Sequence, residues 1–97
     1  MILPMWKLYI VGPVGDGKAI QDAAERLRDA GYSVVTPTAD FRTDISNLAA
    51  CDGAVRLSKW HLARHFGIER RIAEALGMRV TDPGEWIDDV ASYQASE

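Results

Sequence analysis

The sequence contains a single cysteine, Cys51, among its 97 residues. One cysteine excludes a disulfide within the chain and argues against a cysteine-based zinc site. Long hydrophobic runs are also missing, since none approaches the roughly 20 residues that span a bilayer. Residues 1–6 lack the basic region and the cleavage site of a signal peptide. These absences predict a cytoplasmic protein that makes no contact with a membrane.

Basic residues are too few to give the chain a positive charge, because 11 Lys and Arg stand against 14 Asp and Glu, for a net charge of −3. Nucleic-acid-binding domains are usually basic, so we expect no DNA partner. The stretch 56–79 is locally basic, which is typical of a solvated helix face. The alternative is a surface that attracts a phosphate-bearing ligand.

Short apolar runs alternate along the chain with amphipathic segments. The runs predict strands over 7–11, 32–35, 53–57 and 78–81, and the segments predict helices over 19–30, 43–52, 63–76 and 85–93. This alternation predicts a three-layer α/β domain, Rossmann-like or flavodoxin-like, with a four-stranded parallel sheet in the order 2-1-3-4. Ligands of such sheets bind at the carboxyl ends of the strands. We therefore expect the functional residues in the loops 12–18, 37–44 and 58–64.

Local signals set the expected ends of these elements. Gly31 and Gly77 are predicted to end the first and third helices, because glycine is the usual residue just past a helix. Thr43 is the predicted N-cap of the second helix. Asp52, just before the third strand, is interpreted as a turn or cap residue.

The loop 12–18 matches the pattern Gly-x-x-x-x-Gly-Lys of a phosphate-binding P-loop, between a strand and a helix. Position 19 is Ala, where a P-loop needs a hydroxyl to hold magnesium, so we expect no ATP hydrolysis. Two interpretations remain open. The glycines permit a tight turn, or the loop lends backbone N–H groups to a phosphate that it does not cleave.

Glu69 is the carboxylate that the sequence singles out. The apolar stripe of the third helix is predicted to consist of Ile68, Ile72, Ala75 and Leu76, with Glu69 on its border beside Leu62 and His65. A carboxylate at the edge of a core, near the functional end of the sheet, is a candidate nucleophile or acid/base. The alternative is a rim residue that reaches water.

Metal and cofactor sites are not indicated by the sequence. His61 and His65 lie four residues apart, but two ligands without a third do not make a site, so we expect no metal and no cofactor. The three tryptophans are interpreted as packing residues, with a subunit contact as one use. Because a domain of this size has a small core, we expect a homodimer or a larger homo-oligomer.

Several motifs together resemble the nucleoside 2-deoxyribosyltransferase-like family, in its small branch from phage and prophage genomes. Their order and spacing carry the resemblance, which covers roughly residues 6–81. The motifs are the strand and Gly-Pro loop 8–13, Thr36-Pro37, Asp44-x7-Asp52, Trp60, and Glu69-x3-Ala73-x3-Gly77. The resemblance implies one domain over 1–97, with a core at 6–81 and a C-terminal helix and tail at 84–97. For a phage-encoded protein, the cytoplasm would be that of the host.

The resemblance also implies a chemistry and a set of residues. Family enzymes transfer or hydrolyse the deoxyribose of a nucleoside, or of its 5′-monophosphate, through a covalent glycosyl-glutamate. Glu69 aligns with that nucleophile, and Asp44 with an Asp that holds the substrate and manages the proton on the base. The implied substrate-binding residues are Tyr9, Gly12, Pro13, Val14, Trp60 and His65. Taken by itself, Tyr9 lies within a strand, which is typical of a core residue.

Three positions depart from the family pattern and keep a second function open. Ala63 stands where the family has an Asp or Ser that contacts the sugar or its phosphate. His65 and Phe66 stand where small residues are usual, and they are expected to fill that space. The alternative is therefore a catalytically inactive module of the same fold, which binds a nucleotide-like ligand or a host protein.

Overall fold

The computed structural model describes residues 6–38 and 40–95, with side chains through residue 92. The elements follow the predicted alternation. They are β1 (Lys7–Val11), α1 (Gly17–Asp29), β2 (Ser33–Val35), α2 (Phe41–Ala49), β3 (Gly53–Arg56), a 3-10 turn (Trp60–Leu62), α3 (Phe66–Ala75), β4 (Arg79–Thr81) and α4 (Pro83–Ala95).

The four strands form one parallel sheet in the order β2-β1-β3-β4, which confirms the predicted fold class and strand order. Side chains of β1 alternate between the two faces of the sheet. Leu8 and Ile10 pack in a core with residues of α1 and α4. Tyr9 and Val11 pack on the opposite face, in a core to which α2 contributes Leu48. The result is a three-layer sandwich with α1 and α4 on one side and α2 and α3 on the other.

Trp86 locks α4 onto the sheet. Its indole Nε1 donates a 3.1 Å hydrogen bond to the carbonyl of Ala54, and its own carbonyl accepts a 2.7 Å bond from the Tyr32 hydroxyl. The ring lies against Gly53, where an added Cβ would approach Trp86 Cη2 to 2.7 Å. Trp86 is buried within its own chain, so it is covered without any subunit contact.

The predicted N-cap of the second helix is wrong. Asp40 is the N-cap, because its side chain accepts a 2.9 Å hydrogen bond from the backbone N–H of Thr43. The N-cap therefore lies three residues before the predicted one, and the helix begins at Phe41. Gly31 and Gly77 both adopt positive φ, at 107° and 68°, as predicted for residues that follow a helix.

The third helix starts later, and faces a different way, than its sequence pattern predicts. Ala63 has an extended backbone (φ −64°, ψ 141°), which separates the 3-10 turn from α3. Glu69 and Ala73 are the buried positions of α3. Ile68 and Leu76, predicted to face the core, are 48% and 55% exposed. The helix is rotated so that a carboxylate faces the sheet, where Tyr9 offers it a hydrogen bond.

Within the described ranges, the helices are all too short or too polar to cross a membrane.

Candidate functional site

Three loops meet in a pocket of about 290 Å³ at the carboxyl ends of the strands. They follow β1, β2 and β3, and they are the loops in which the sequence predicts the functional residues. The pocket is lined by Gly12, Pro13, Val14, Gly15, Pro37, Thr38, Asp44, Leu62, Ala63, Arg64, His65 and Glu69. Asp44 and Glu69, the two predicted catalytic residues, thus share one cavity.

Glu69 is bound to the sheet through a residue of β1. The hydroxyl of Tyr9, at the centre of β1, donates a 2.7 Å hydrogen bond to Glu69 Oε2. Tyr9 is fully buried, and Glu69 is only 6% exposed. Glu69 is therefore a buried carboxylate with a fixed orientation, and the interpretation as a rim residue that reaches water is wrong.

The pKa of Glu69 is raised above its ordinary value, chiefly because burial disfavours the charged carboxylate. The hydrogen bond from Tyr9 acts in the opposite direction, since it stabilises the charged form. The negative charge of Asp44 raises the pKa of Glu69 further, and His65 lowers it. Burial and then Glu69 raise the pKa of Tyr9, so its hydroxyl keeps its proton and stays a donor.

Asp44 is fixed by the loop that precedes its helix. It lies in the first turn of α2 and is 5% exposed. Its Oδ1 accepts two hydrogen bonds from Thr38, one of 2.8 Å from the backbone N–H and one of 2.7 Å from the hydroxyl. These two donors orient the carboxylate and occupy one of its oxygens.

Each carboxylate keeps one oxygen for a ligand. Among the described residues, Glu69 Oε1 and Asp44 Oδ2 form no hydrogen bond with the protein. Among the described residues, every fully buried side-chain oxygen or nitrogen has a hydrogen-bond partner. Since these two oxygens have none, neither of them is fully buried. Because Asp44 and Glu69 both line the pocket, these oxygens are its available acceptors.

The predicted substrate-binding residues separate into two groups. Gly12, Pro13, Val14 and His65 line the pocket, and Tyr9 lies beneath it through its bond to Glu69. Trp60 does not line it. Its ring packs edge-on against Phe66, with 4.5 Å between the ring centroids, and it borders a separate open depression near Arg26 and Arg56.

Phe66 therefore packs against Trp60 instead of filling the pocket. Of the two bulky residues expected to occupy ligand space, only His65 lines the cavity. Phe41 packs against His65, with 4.3 Å between their ring centroids. The sequence analysis missed Phe41 and Thr38, because an aromatic residue at a helix start and a threonine in a loop have no distinctive spacing.

The lysine of the glycine loop does not face the pocket. Lys18 is 88% exposed in its side chain and pairs with Asp22 one helical turn later, at 2.9 Å. Gly12 is held close to Leu57, because a Cβ at position 12 would lie 2.9 Å from Leu57 Cδ1. Gly12 and Gly15 line the pocket, which fits both interpretations of the loop, a tight turn or a donor of backbone N–H groups to a phosphate.

Asp52 lies at the opposite end of the sheet. Its side chain accepts a 2.8 Å hydrogen bond from the backbone N–H of Lys7, at the start of β1. Its own N–H donates to the carbonyl of Lys7 at 2.7 Å. Asp52 therefore joins the turn before β3 to the start of β1, which agrees with its interpretation as a turn residue. In the residues that the structure describes, no three His, Cys, Asp or Glu are placed to hold a metal ion.

A scan of protein-family models, a search of curated proteins and a search of solved structures each return no match to this chain. The resemblance to the deoxyribosyltransferase-like family therefore rests on the sequence motifs.

Proposed function

We propose that the chain is a glycosyl-transfer enzyme of the nucleoside 2-deoxyribosyltransferase-like kind, which acts on a deoxynucleoside or its 5′-monophosphate. One observation carries the proposal. Glu69 is a buried carboxylate with one oxygen held by Tyr9 and the other available to a pocket at the carboxyl ends of the strands. A nucleophile in glycosyl transfer needs this combination of a fixed direction, little competing water and an open oxygen.

In the proposed reaction, Glu69 Oε1 attacks the anomeric carbon of the deoxyribose and the base departs. An ester between the sugar and Glu69 results, and water or a second base then takes the sugar. The transition state carries positive charge on the sugar, which the carboxylates of Glu69 and Asp44 stabilise. Asp44, oriented by Thr38, keeps Oδ2 to accept a hydrogen bond from the substrate.

The size and lining of the pocket support a nucleoside-sized ligand. A volume of about 290 Å³ lies at the small end of ligand pockets, which start at about 300 Å³. Among the described residues that line the pocket, Arg64 is the one arginine or lysine. A 5′-monophosphate would gain the charge of Arg64, so this chemistry favours the nucleotide over the free nucleoside.

The decisive experiment is mass spectrometry of the intact protein after incubation with a panel of deoxynucleosides and their 5′-monophosphates. We expect an added mass of one deoxyribosyl group, with or without phosphate, on the wild type and no such mass on Glu69→Gln. Glu74→Gln is the matched control, because Glu74 lies on the same helix but pairs with Arg70 in solvent. Base release that survives in Glu69→Gln would exclude Glu69 as the nucleophile.

The second candidate is an inactive binding module for a nucleotide-like ligand or a host protein. The observation that favours it is Ala63, which lines the pocket but offers no side-chain polar group to a sugar or phosphate. In that case the panel gives no adduct and no base release.

A further inference from the structure

We propose that His65 is the acid that protonates the departing base, and the base that activates the incoming water. This inference rests on the proposed function, and it assigns the proton steps of that same site. It concerns a residue in which this chain departs from the family that it resembles.

The proton donor must be found among the titratable groups of the pocket, because a purine or pyrimidine anion is a poor leaving group without a proton. Four residues of the lining carry such groups: Asp44, Arg64, His65 and Glu69. Arg64 keeps its proton under all ordinary conditions. Glu69 acts as the attacking carboxylate in the proposed reaction, so it has no proton to give.

Asp44 is arranged as an acceptor. Its Oδ1 accepts hydrogen bonds from the backbone N–H and the hydroxyl of Thr38, at 2.8 and 2.7 Å, and in the proposed reaction Oδ2 accepts one from the substrate. The hydroxyl of Tyr9 is committed to Glu69 and is covered by the core. His65 is what remains, and imidazole is the side chain that most often gives and takes protons near neutral pH.

The position of His65 suits that task. It immediately precedes α3, and its carbonyl accepts the backbone N–H of Glu69 at 2.9 Å, so the two residues are one helical turn apart. Its ring packs against Phe41, which limits how the imidazole turns, and it is half-buried at the pocket wall. His65 and Glu69 both line the same pocket.

Protons and electron pairs are conserved over the two steps of the proposed reaction. Glu69 Oε1 forms a bond to the anomeric carbon, the carbon–nitrogen bond breaks, and its electron pair stays on the base. The imidazolium of His65 gives that base a proton and becomes neutral. A water molecule then attacks the anomeric carbon, neutral His65 takes the proton of the water, and the ester bond breaks to restore the Glu69 carboxylate.

A comparison of two leaving groups tests this assignment. A deoxyadenosine-type substrate needs a proton on its base, whereas 4-nitrophenyl 2-deoxyriboside releases a stable anion without one. We expect His65→Gln to slow release of the purine by about 100-fold or more, and to change release of 4-nitrophenolate in single turnover by less than about threefold. Glu69→Gln should abolish both. His61→Gln, a change at an exposed histidine outside the pocket lining, should alter neither.

His65→Phe provides a second variant that keeps an aromatic ring against Phe41 and removes the proton. It should reproduce the selective loss, with an unfolding transition close to that of the wild type. Equal slowing of both leaving groups would make His65 a positioning residue and overturn the proposal, as would no slowing of either. If the wild type releases neither leaving group, the proposed function fails and this inference fails with it. If the wild type releases both leaving groups and the His65 variants release them at the same rates, the inference about His65 fails and the proposed function stands.

Discussion

The hydroxyl of Tyr9 donates a 2.7 Å hydrogen bond to Glu69 Oε2, and this bond joins the centre of the sheet to the first turn of α3 through the core. It fixes one oxygen of the carboxylate and leaves the other at the pocket. It also lowers the pKa of Glu69 against the larger effect of burial. The fold itself therefore supplies a donor that favours the ionised form of a buried carboxylate, against the larger effect of burial.

Tyr9→Phe tests this relationship. The variant keeps the ring and removes the donor, so the pKa of Glu69 should rise further above its ordinary value. The acidic limb of the pH profile for base release should move to higher pH. Loss of the donor from a buried carboxylate should also lower the free energy of unfolding by about 1–3 kcal/mol.

Two independent measurements on the Tyr9→Phe variant give the pKa of Glu69 and the stability of the fold. NMR titration of the Glu69 carboxyl carbon reports its pKa without any need for activity, and denaturant unfolding reports stability. Tyr32→Phe is the control, because its hydroxyl bonds to the Trp86 carbonyl on the other face of the sheet. A Glu69 titration unchanged in Tyr9→Phe would contradict the role given to this bond.

The raised pKa of Glu69 predicts a pH dependence of stability. For a carboxyl whose pKa is higher in the folded state than in the unfolded state, stability is fully present below the unfolded pKa and is lost as pH rises through the folded pKa. Glu69→Gln removes this titration and keeps the shape of the side chain. The variant should therefore match the wild type in acid and be the more stable of the two at neutral pH.

Thermal unfolding of the wild type and of Glu69→Gln, measured from acid to neutral pH, shows whether the difference in stability has the expected sign. Glu74→Gln controls for the loss of a surface charge on the same helix. A Glu69→Gln variant that is less stable than the wild type at neutral pH would show that burial does not dominate the energetics of this carboxylate.

Most of the fold follows from the sequence, because strand-forming runs and amphipathic spacing are local signals. The predicted core stripe of α1 is buried in the structure at Ile20, Ala23, Ala24 and Leu27. The stripe of α3 was mispredicted, since periodicity counts Ile68 and Leu76 as core and Glu69 as border. In the structure Glu69 faces the sheet and accepts a hydrogen bond from the hydroxyl of Tyr9, a partner 60 residues away in sequence.

The candidate site was predictable to the level of its loops and its two carboxylates. The roles of Thr38 and Phe41 were not, because each depends on a tertiary contact that leaves no periodic trace. Thr38 is defined by its two bonds to Asp44, and Phe41 by its ring contact with His65.

The glycine loop predicts a negative result with ATP. Lys18 pairs with Asp22 in solvent and lies outside the pocket lining, and Ala19 cannot hold magnesium. We expect no magnesium-dependent hydrolysis of ATP, measured by phosphate release. Clear turnover that disappears in Lys18→Ala would contradict this interpretation of the loop.

The small core predicts self-association. Trp86 is buried in its own chain, whereas Trp6 is 39% exposed and accessible to a second subunit. We expect light scattering to give at least twice the chain mass of 10.7 kDa at micromolar concentration. A monomeric mass at high micromolar concentration would contradict the prediction.

The contact between Gly53 and Trp86 predicts a site where one methyl group is costly. A Cβ at position 53 would lie 2.7 Å from Trp86 Cη2 and 2.8 Å from Cζ2, and both atoms belong to a rigid ring that its bond to Ala54 holds in place. Gly53→Ala should therefore lower the free energy of unfolding by about 1–3 kcal/mol, as for an overpacked core.

Gly67→Ala is the matched control, because a Cβ there meets nothing within 4 Å and the position lies in α3. It should leave stability unchanged or raise it by up to about 1 kcal/mol. Urea unfolding gives the free energy of unfolding of the two variants and the wild type. A Gly53→Ala protein as stable as the wild type would show that Trp86 does not pack tightly against Gly53.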